Sequence, residues 1–445
     1  MGEGRPERSE GQGEGRARNL VKLTMKKEIT QHVLRNTLFL ILLLSLVACA
    51  PSSTPTATLS PPPTQNIPTA TPTPAEPTCG SIETLPTPLA EGESLFPPIS
   101  AEDMTRGPAD AATTFVIYAD FQDPASAEFA RVLKELREKY PDDLRIVYRD
   151  FPMVTNPGHE KAGHAARAAH AANLQGKYWE MHDLLFEKQE EWSLLGGDEF
   201  AAWLADAASA LGMDAEKLAE DMARDEIVAQ VRDAFVFGDE IGIPFTPFLL
   251  INGRIHEGLI DFYTLDEIVA LYALGERQFT ACPPLVIDPE KEYLAILETE
   301  KGEITIQFYP QQAPIAVNSF VFLANEGWFN GITFHRVLPG IFAESGDPSE
   351  TGQGNPGYFF KNEVDPSLAF DRPGVVAMKN VGGETNGSQF FITYAPLPAY
   401  DGKFTIFGQV IEGMDVLEAL SPRDPQFGEI LPPGDLLLNV TIEER

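Results

Sequence analysis

The chain is expected to be multidomain: an α/β domain with a helical insert, followed by a mainly β domain that closes into a barrel. Three observations lead there. An apolar run at residues 114–121 is followed by helical spacing and then a second apolar run, the order of an open α/β sheet. Residues 158–240 are Ala-rich with helical periodicity. Beyond Glu292 the pattern changes to many short strands between Gly/Pro turns. At 445 residues there is room for about two to three such domains.

Charge narrows the function. Asp and Glu number 66 against 33 Lys and Arg, a formal charge of −33. Phosphate backbones are held by clustered cations, so no nucleic-acid partner is expected. The plain reading is an acidic, soluble surface that resists association. His159, His164 and His170 are spaced 5 and 6 apart, which puts them on different helix faces. With no cysteine nearby they make no metal site. Gly352-x-Gly354-x-x-Gly357 lacks the strand-to-helix setting of a phosphate loop, and no cofactor is expected. Nothing in the sequence sets the oligomeric state.

The elements in order begin with a targeting segment, residues 1–48. Lys26, Lys27 and Arg35 precede a ten-residue apolar run, residues 38–47. A helix of that length cannot cross a bilayer core, which takes about 20 residues, and it suits a secretory signal. The run ends in Leu46-Val47-Ala48-Cys49, which resembles the lipobox of bacterial lipoproteins. The resemblance implies cleavage before Cys49, lipidation of its sulfur, and a membrane anchor on the extracytoplasmic side; an ordinary signal with a chance cysteine is the alternative. Residues before Met25 fit no part of a signal, so either Met1 or Met25 is the start. Residues 49–98 are Pro, Thr and Ser with little apolar content, a semi-extended tether unable to bury a core.

The α/β domain is assigned to 99–280. After the first strand, Asp123 is an N-cap with Pro124 at the first helical position. Phe129, Val132, Leu133, Leu136 and Tyr140 recur at helical spacing, and a strand follows at 144–148. A hairpin at Asn252-Gly253 and a helix near 265–274 close the domain. Asp150-Phe151-Pro152, Gln175 to Leu185 and Thr246-Pro247-Phe248 resemble the DsbA-like branch of thioredoxin-fold proteins. The resemblance implies a cis bond at Pro247 and a Cys-x-x-Cys at the start of the first helix. That slot reads Asp123-Pro124-Ala125-Ser126, so thiol–disulfide exchange has no local thiolate. A fold with a peptide groove, or a spacer, remains.

A Pro-rich joint follows Cys282, and the last domain is assigned to 288–445. It opens with a hairpin at Lys301-Gly302, continues with a helix near 314–325, and ends in short strands. Phe334-His335-Arg336-Val337-Leu338-Pro339-Gly340, Asp371-Arg372-Pro373-Gly374-Val375, Asn386-Gly387-Ser388-Gln389-Phe390-Phe391-Ile392-Thr393 and Asp401-Gly402-Lys403 stand in that order. They closely resemble the signature of cyclophilin-type peptidyl-prolyl isomerases. The family fold is an eight-stranded closed barrel with capping helices. Its substrates are unfolded or proline-containing polypeptides.

The resemblance implies residue roles. Rotation about X-Pro faces a barrier of about 18–20 kcal/mol, because the C–N bond is partly double. An N–H donor aimed at the prolyl nitrogen acts only on the twisted amide. Arg336 matches that catalytic position. Phe342 and Phe391 match proline-pocket positions, with Ile341, Asn380, Gln389, Tyr400 and Phe404 around the substrate. Glu344 stands where the family has Gln, Phe404 where it has His, Ala399 where many members have an aromatic, and Lys379 where it has a small residue. These departures leave open a second function, a non-catalytic proline-peptide binder or holdase. With Cys49 acylated, Cys79 and Cys282 are an even pair in an oxidising setting, and a disulfide between them is expected; two unpaired or intermolecular cysteines are the alternative.

Overall fold

A computed structural model describes residues 79–82, 85, 89, 94, 96–380, 385–425 and 431–445. Cys49, Met25, the apolar signal run and the tether up to residue 78 lie outside these. Among the described residues no helix is long and apolar enough to cross a membrane.

The first described element is a strand, β1 (Cys79–Ser81), inside the stretch read from sequence as tether. The α/β domain follows. Strands β2 (Met104–Arg106), β3 (Thr113–Ala119), β4 (Leu144–Asp150), β5 (Phe248–Ile251) and β6 (Arg254–Ile255) form one sheet in the order β2-β4-β3-β5-β6. β5 is buried along its whole length and β3 at all but one position. That explains why both read as unbroken apolar runs rather than alternating ones. Helix α1 (Pro124–Lys139) starts where expected: Asp123 Oδ2 accepts the Ser126 amide at 3.0 Å, with Pro124 at the first helical position. The Ala-rich insert resolves into α2 (Ala162–Asn173), α3 (Tyr178–Glu187), α4 (Gln189–Trp192), α5 (Gly197–Ala210), α6 (Ala215–Met222) and α7 (Asp225–Ile241). The β5–β6 hairpin turns at Asn252 and Gly253, φ 47° and 82°, as a tight two-residue turn needs. Helix α8 (Phe262–Leu274) is capped by Asp261, which accepts the Thr264 amide at 3.0 Å.

The C-terminal domain contains β7 (Tyr293–Thr299), β8 (Gly302–Phe308), helix α9 (Pro314–Asn325), β9 (Ile332–Thr333), β10 (Arg336–Leu338), β11 (Phe342–Ser345), β12 (Tyr358–Phe360), β13 (Val375–Asn380), β14 (Asn386–Thr393), β15 (Ile406–Glu412), helix α10 (Met414–Glu418) and β16 (Leu436–Glu444). The hairpin pairs Thr299 with Gly302, and α9 begins with Pro314 in its first turn. The sheet runs β1-β12-β14-β13-β15-β8-β7-β16-β9, with β11 on β14 and β10 on β11. The expectation of a closed eight-stranded barrel is therefore met only in part. The sheet has eleven strands, nine of them on an open path with β11 and β10 branching from β14, and one of them, β1, comes from upstream of the α/β domain.

Strand alternation divides this sheet into two faces. Val337, Ala343, Phe390, Ile392, Val376, Met378 and Phe407 point into the main core with Phe320 and Phe329. Their neighbours Phe342, Phe391, Ala377 and Ile406 point the other way and form a second, smaller cluster with Phe370 and Val375. That second face carries the site.

Candidate active site

Four strands bring the site together in one lateral row. Arg336 pairs with Glu344, Glu344 with Phe391, and Phe391 with Ala377. Side chains in such a row share a face and lie about 5 Å apart. A one-residue slip would turn the row into the core.

The aromatic part is a cup around Phe391. Its ring centroid lies 5.7 Å from Phe342, 5.8 Å from Phe370, 5.3 Å from Phe404 and 6.0 Å from Tyr400. Phe370 is stacked at an 8° interplanar angle, while Phe404 and Tyr400 stand edge-on. Edge-on and offset arrangements suit ring quadrupoles. The Arg336 guanidinium stands 5.4 Å over the Phe342 ring, a cation–π distance. Ile341, by contrast, is 41% exposed at the rim. Asn380 ends β13, half-buried and paired in register with Asn386.

Charges flank the cup. Arg336 Nε donates to Asp424 Oδ1 at 3.1 Å, and Arg336 Nη1 lies 3.8 Å from Glu344 Oε1. Lys379 Nζ lies 3.7 Å from Glu344 Oε2 and donates to Gln389 Oε1 at 2.9 Å. Glu344 is nearly buried, and burial raises its carboxyl pKa against the opposing pull of Lys379 and Arg336. Gln389 Nε2 donates to Gly354 O at 2.7 Å, so both ends of its amide are held. The loop supplying that carbonyl is organised by buried Asp347, which accepts the amides of Ser349, Gly352 and Gly354. A Cβ on Gly354 would come 2.0 Å from Asp347 Oδ1, so only glycine fits there.

Sequence reasoning missed two of these groups, Asp424 and Phe370. Asp424 lies 88 residues from Arg336 and reaches it because Arg423 and Val337 exchange two backbone hydrogen bonds, at 2.7 and 2.9 Å. Phe370 precedes a motif residue but carries no signal of its own. Lys379 is legible only as a departure from the family pattern. Beside the row, His335 is buried with neither ring nitrogen hydrogen-bonded among the described residues, and desolvation lowers its pKa to about 4.

In the α/β domain the Thr246–Pro247 peptide is cis. The position matching a redox thiol is closed by a polar knot. Asp123 Oδ2 accepts Ser126 Oγ at 2.7 Å and Thr246 Oγ1 at 2.9 Å, beside Pro247. His159 meets Asp120 at 2.8 Å and His170 meets Asp150 at 2.6 Å, two different carboxylates. Cys79 and Cys282 form a disulfide, with Cα atoms 6.1 Å apart.

An aromatic cluster beside a fixed guanidinium, on the second face of the β-sheet, is a candidate peptide-handling site. Comparison with known proteins agrees. Residues 294–432 match the cyclophilin type peptidyl-prolyl cis-trans isomerase family, and residues 100–270 match a thioredoxin family. "Peptidyl-prolyl cis-trans isomerase-like 1" of Aspergillus fumigatus is 41% identical over 128 residues, 28% of this chain and 80% of the relative. "Peptidylprolyl isomerase domain and WD repeat-containing protein 1" of Mus musculus is 42% identical over 153 residues, 34% of this chain and 24% of the relative. A Cryptosporidium parvum cyclophilin type isomerase of known structure is 30% identical with a TM-score of 0.32, covering 35% of this chain and 99% of that one. The chain belongs to the cyclophilin-type peptidyl-prolyl cis-trans isomerases, and it carries a thioredoxin-like domain ahead of the isomerase domain.

Proposed function

We propose that this protein accelerates cis–trans exchange of X-Pro bonds in unfolded or exported polypeptides, with Arg336 as the catalytic donor. The observation that carries the reading is the Arg336 guanidinium held 5.4 Å over Phe342, whose ring lies 5.7 Å from Phe391. The proline ring enters the cup of Phe342, Phe391 and Phe404. Gln389, Asn380, Tyr400 and Ile341 contact the flanking chain. As the amide twists, its nitrogen regains a lone pair, and a guanidinium N–H donates to it. Binding the planar amide gains nothing from that bond, so the donor lowers the barrier selectively. Arg suits the task because it is always charged and rigidly forked.

The thioredoxin-like domain contributes no thiol exchange through the Asp123–Ser126 slot. The fold and its cis-Pro247 support a peptide-holding or spacing role. For location, the Leu38–Val47 run and Ala48-Cys49 support a lipid-anchored, extracytoplasmic protein behind a bacterial lipoprotein signal. A closed barrel is the family form that the curled sheet approaches.

A second reading, a proline-peptide binder or holdase without catalysis, is favoured by one observation: Arg336 is already ion-paired with Asp424. A protease-coupled prolyl isomerisation assay on the full chain separates the two. Acceleration over the uncatalysed rate supports the enzyme; peptide binding without acceleration supports the binder.

A further inference from the structure

Strand β1 lies in residues that sequence assigns to a tether, yet it is built into the isomerase sheet. Cys79, Gly80 and Ser81 pair antiparallel with Phe360, Phe359 and Tyr358 of β12, and the Ile82 amide donates to Gly357 O at 3.2 Å. The approach is close. A Cβ on Gly80 would stand 2.8 Å from the Phe359 ring, which would have to move to admit a side chain. The Cys79–Cys282 disulfide fastens the strand to the joint. The joint is itself held: the Phe279 amide donates to Pro356 O at 2.9 Å, just ahead of β12.

Beyond β1 the chain reaches the substrate face. Ile82 forms one wall of a cavity of about 10 Å³, whose other walls include Tyr358, Lys379, Asn386 and Gln389. That is roughly the space of one water by the same measure. The cavity adjoins the catalytic row through shared residues: Lys379 and Gln389 both line it, and Lys379 bonds Gln389 at 2.9 Å and stands 3.7 Å from Glu344, the register partner of Arg336. Gln389 precedes Phe391 by two positions on the same face of β14, roughly 7 Å along the strand. An extended substrate covers that distance in about two residues. A peptide with its proline in the Phe391 cup thus brings the side chain two residues away to the cavity that Ile82 narrows.

We infer that β1 is a built-in wall of the substrate groove, fastened by the Cys79–Cys282 disulfide, and that Ile82 limits the size of the substrate side chain two residues from the proline. This rests on the isomerase reading above. It adds a specificity determinant that lies more than two hundred residues upstream of Gln389, outside the residues matched to the isomerase family.

The test uses the full chain and proline peptides in which the residue two positions before or after the proline is Gly, Ala, Leu or Phe. The readout is the ratio of kcat/KM for the bulky peptides to that for the Gly peptide. Ile82→Ala should raise this ratio about tenfold, the scale of freeing a methylene or more in an apolar pocket. Ile82→Phe should lower it. The Cys79→Ser/Cys282→Ser double variant should move it in the direction of Ile82→Ala. If all three ratios stay at the wild-type value, the inference is wrong while the isomerase reading stands. If the wild type accelerates nothing, that reading fails, and the same ratios taken from peptide affinities decide whether Ile82 walls the groove.

Discussion

The guanidinium of Arg336 is tied to the carboxylate of Asp424, Nε to Oδ1 at 3.1 Å, with both side chains about four-fifths withdrawn from solvent. A long, flexible side chain is thereby held in one orientation before substrate arrives. The same guanidinium stands 5.4 Å over the Phe342 ring of the cup, and preorganisation of this kind is where electrostatic catalysis gains most. Arg336→Ala should lower kcat/KM by about 100-fold or more, the scale of losing one transition-state donor. Arg336→Lys should not restore it, because a point charge lacks the fork. Asp424→Asn should cost about 10- to 100-fold, mainly in kcat, through misorientation. An Arg336→Ala enzyme as fast as wild type would remove Arg336 from the mechanism.

Glu344 competes for the same cation at 3.8 Å. Replacing it with Gln keeps its shape and removes its charge. Glu344→Gln should raise kcat/KM by roughly 1.5- to 5-fold, the worth of a weak, partly screened pair. The pH dependence follows from the raised carboxyl pKa of Glu344. Above that pKa the carboxylate holds Arg336 back, and acidification through it releases the cation. Wild-type kcat/KM should therefore rise as pH falls through the Glu344 titration, and the Gln variant should lack the rise. A flat profile in both proteins would count against this competition.

His335 makes the fold sensitive to acid. Burial holds its folded pKa near 4, against 6.5 when exposed. Between those values the unfolded chain binds the proton and the folded one does not, so the contribution is complete above about pH 6.5 and is lost as pH falls toward 4. The loss should reach up to about 3 kcal/mol for a shift of this size. Urea unfolding at pH 7 and pH 5 measures it. His335→Phe, which fills a similar space without titrating, should show a smaller difference between the two pH values.

The disulfide closes a span of 203 residues, and removing it should destabilise the folded state by up to about 4–5 kcal/mol on chain entropy. Reducing and non-reducing denaturant titrations give the difference directly. Equal midpoints would mean that Cys79 and Cys282 are not bridged in solution.

Cys49 decides location. Cys49→Ser should shift the protein from the membrane fraction to the soluble one, and mass spectrometry of the wild type should find a diacylglyceryl group on that residue. Membrane retention of the variant together with an unmodified Cys49 would end the lipoprotein reading.

What the sequence determined by itself was local, or carried by motif. The strand runs, the Asp123 cap, the Asn252-Gly253 turn, the Pro314 helix start and the placing of Arg336, Phe342, Gln389 and Phe391 in one site were all legible. Each rests on neighbours within a few residues or on blocks of fixed spacing. Tertiary structure decided what depends on register between distant segments. Asp424 meets Arg336 only because a two-bond bridge joins Arg423 to Val337. Phe370 joins the cup only because its ring stacks on Phe391. Ile82 walls the groove only because β1 pairs with β12 across some 280 residues, a contact that a Pro/Thr-rich neighbourhood conceals. Local propensity and periodicity are short-ranged signals, whereas strand pairing is won by the total burial and hydrogen bonding of the folded chain, which no single segment encodes.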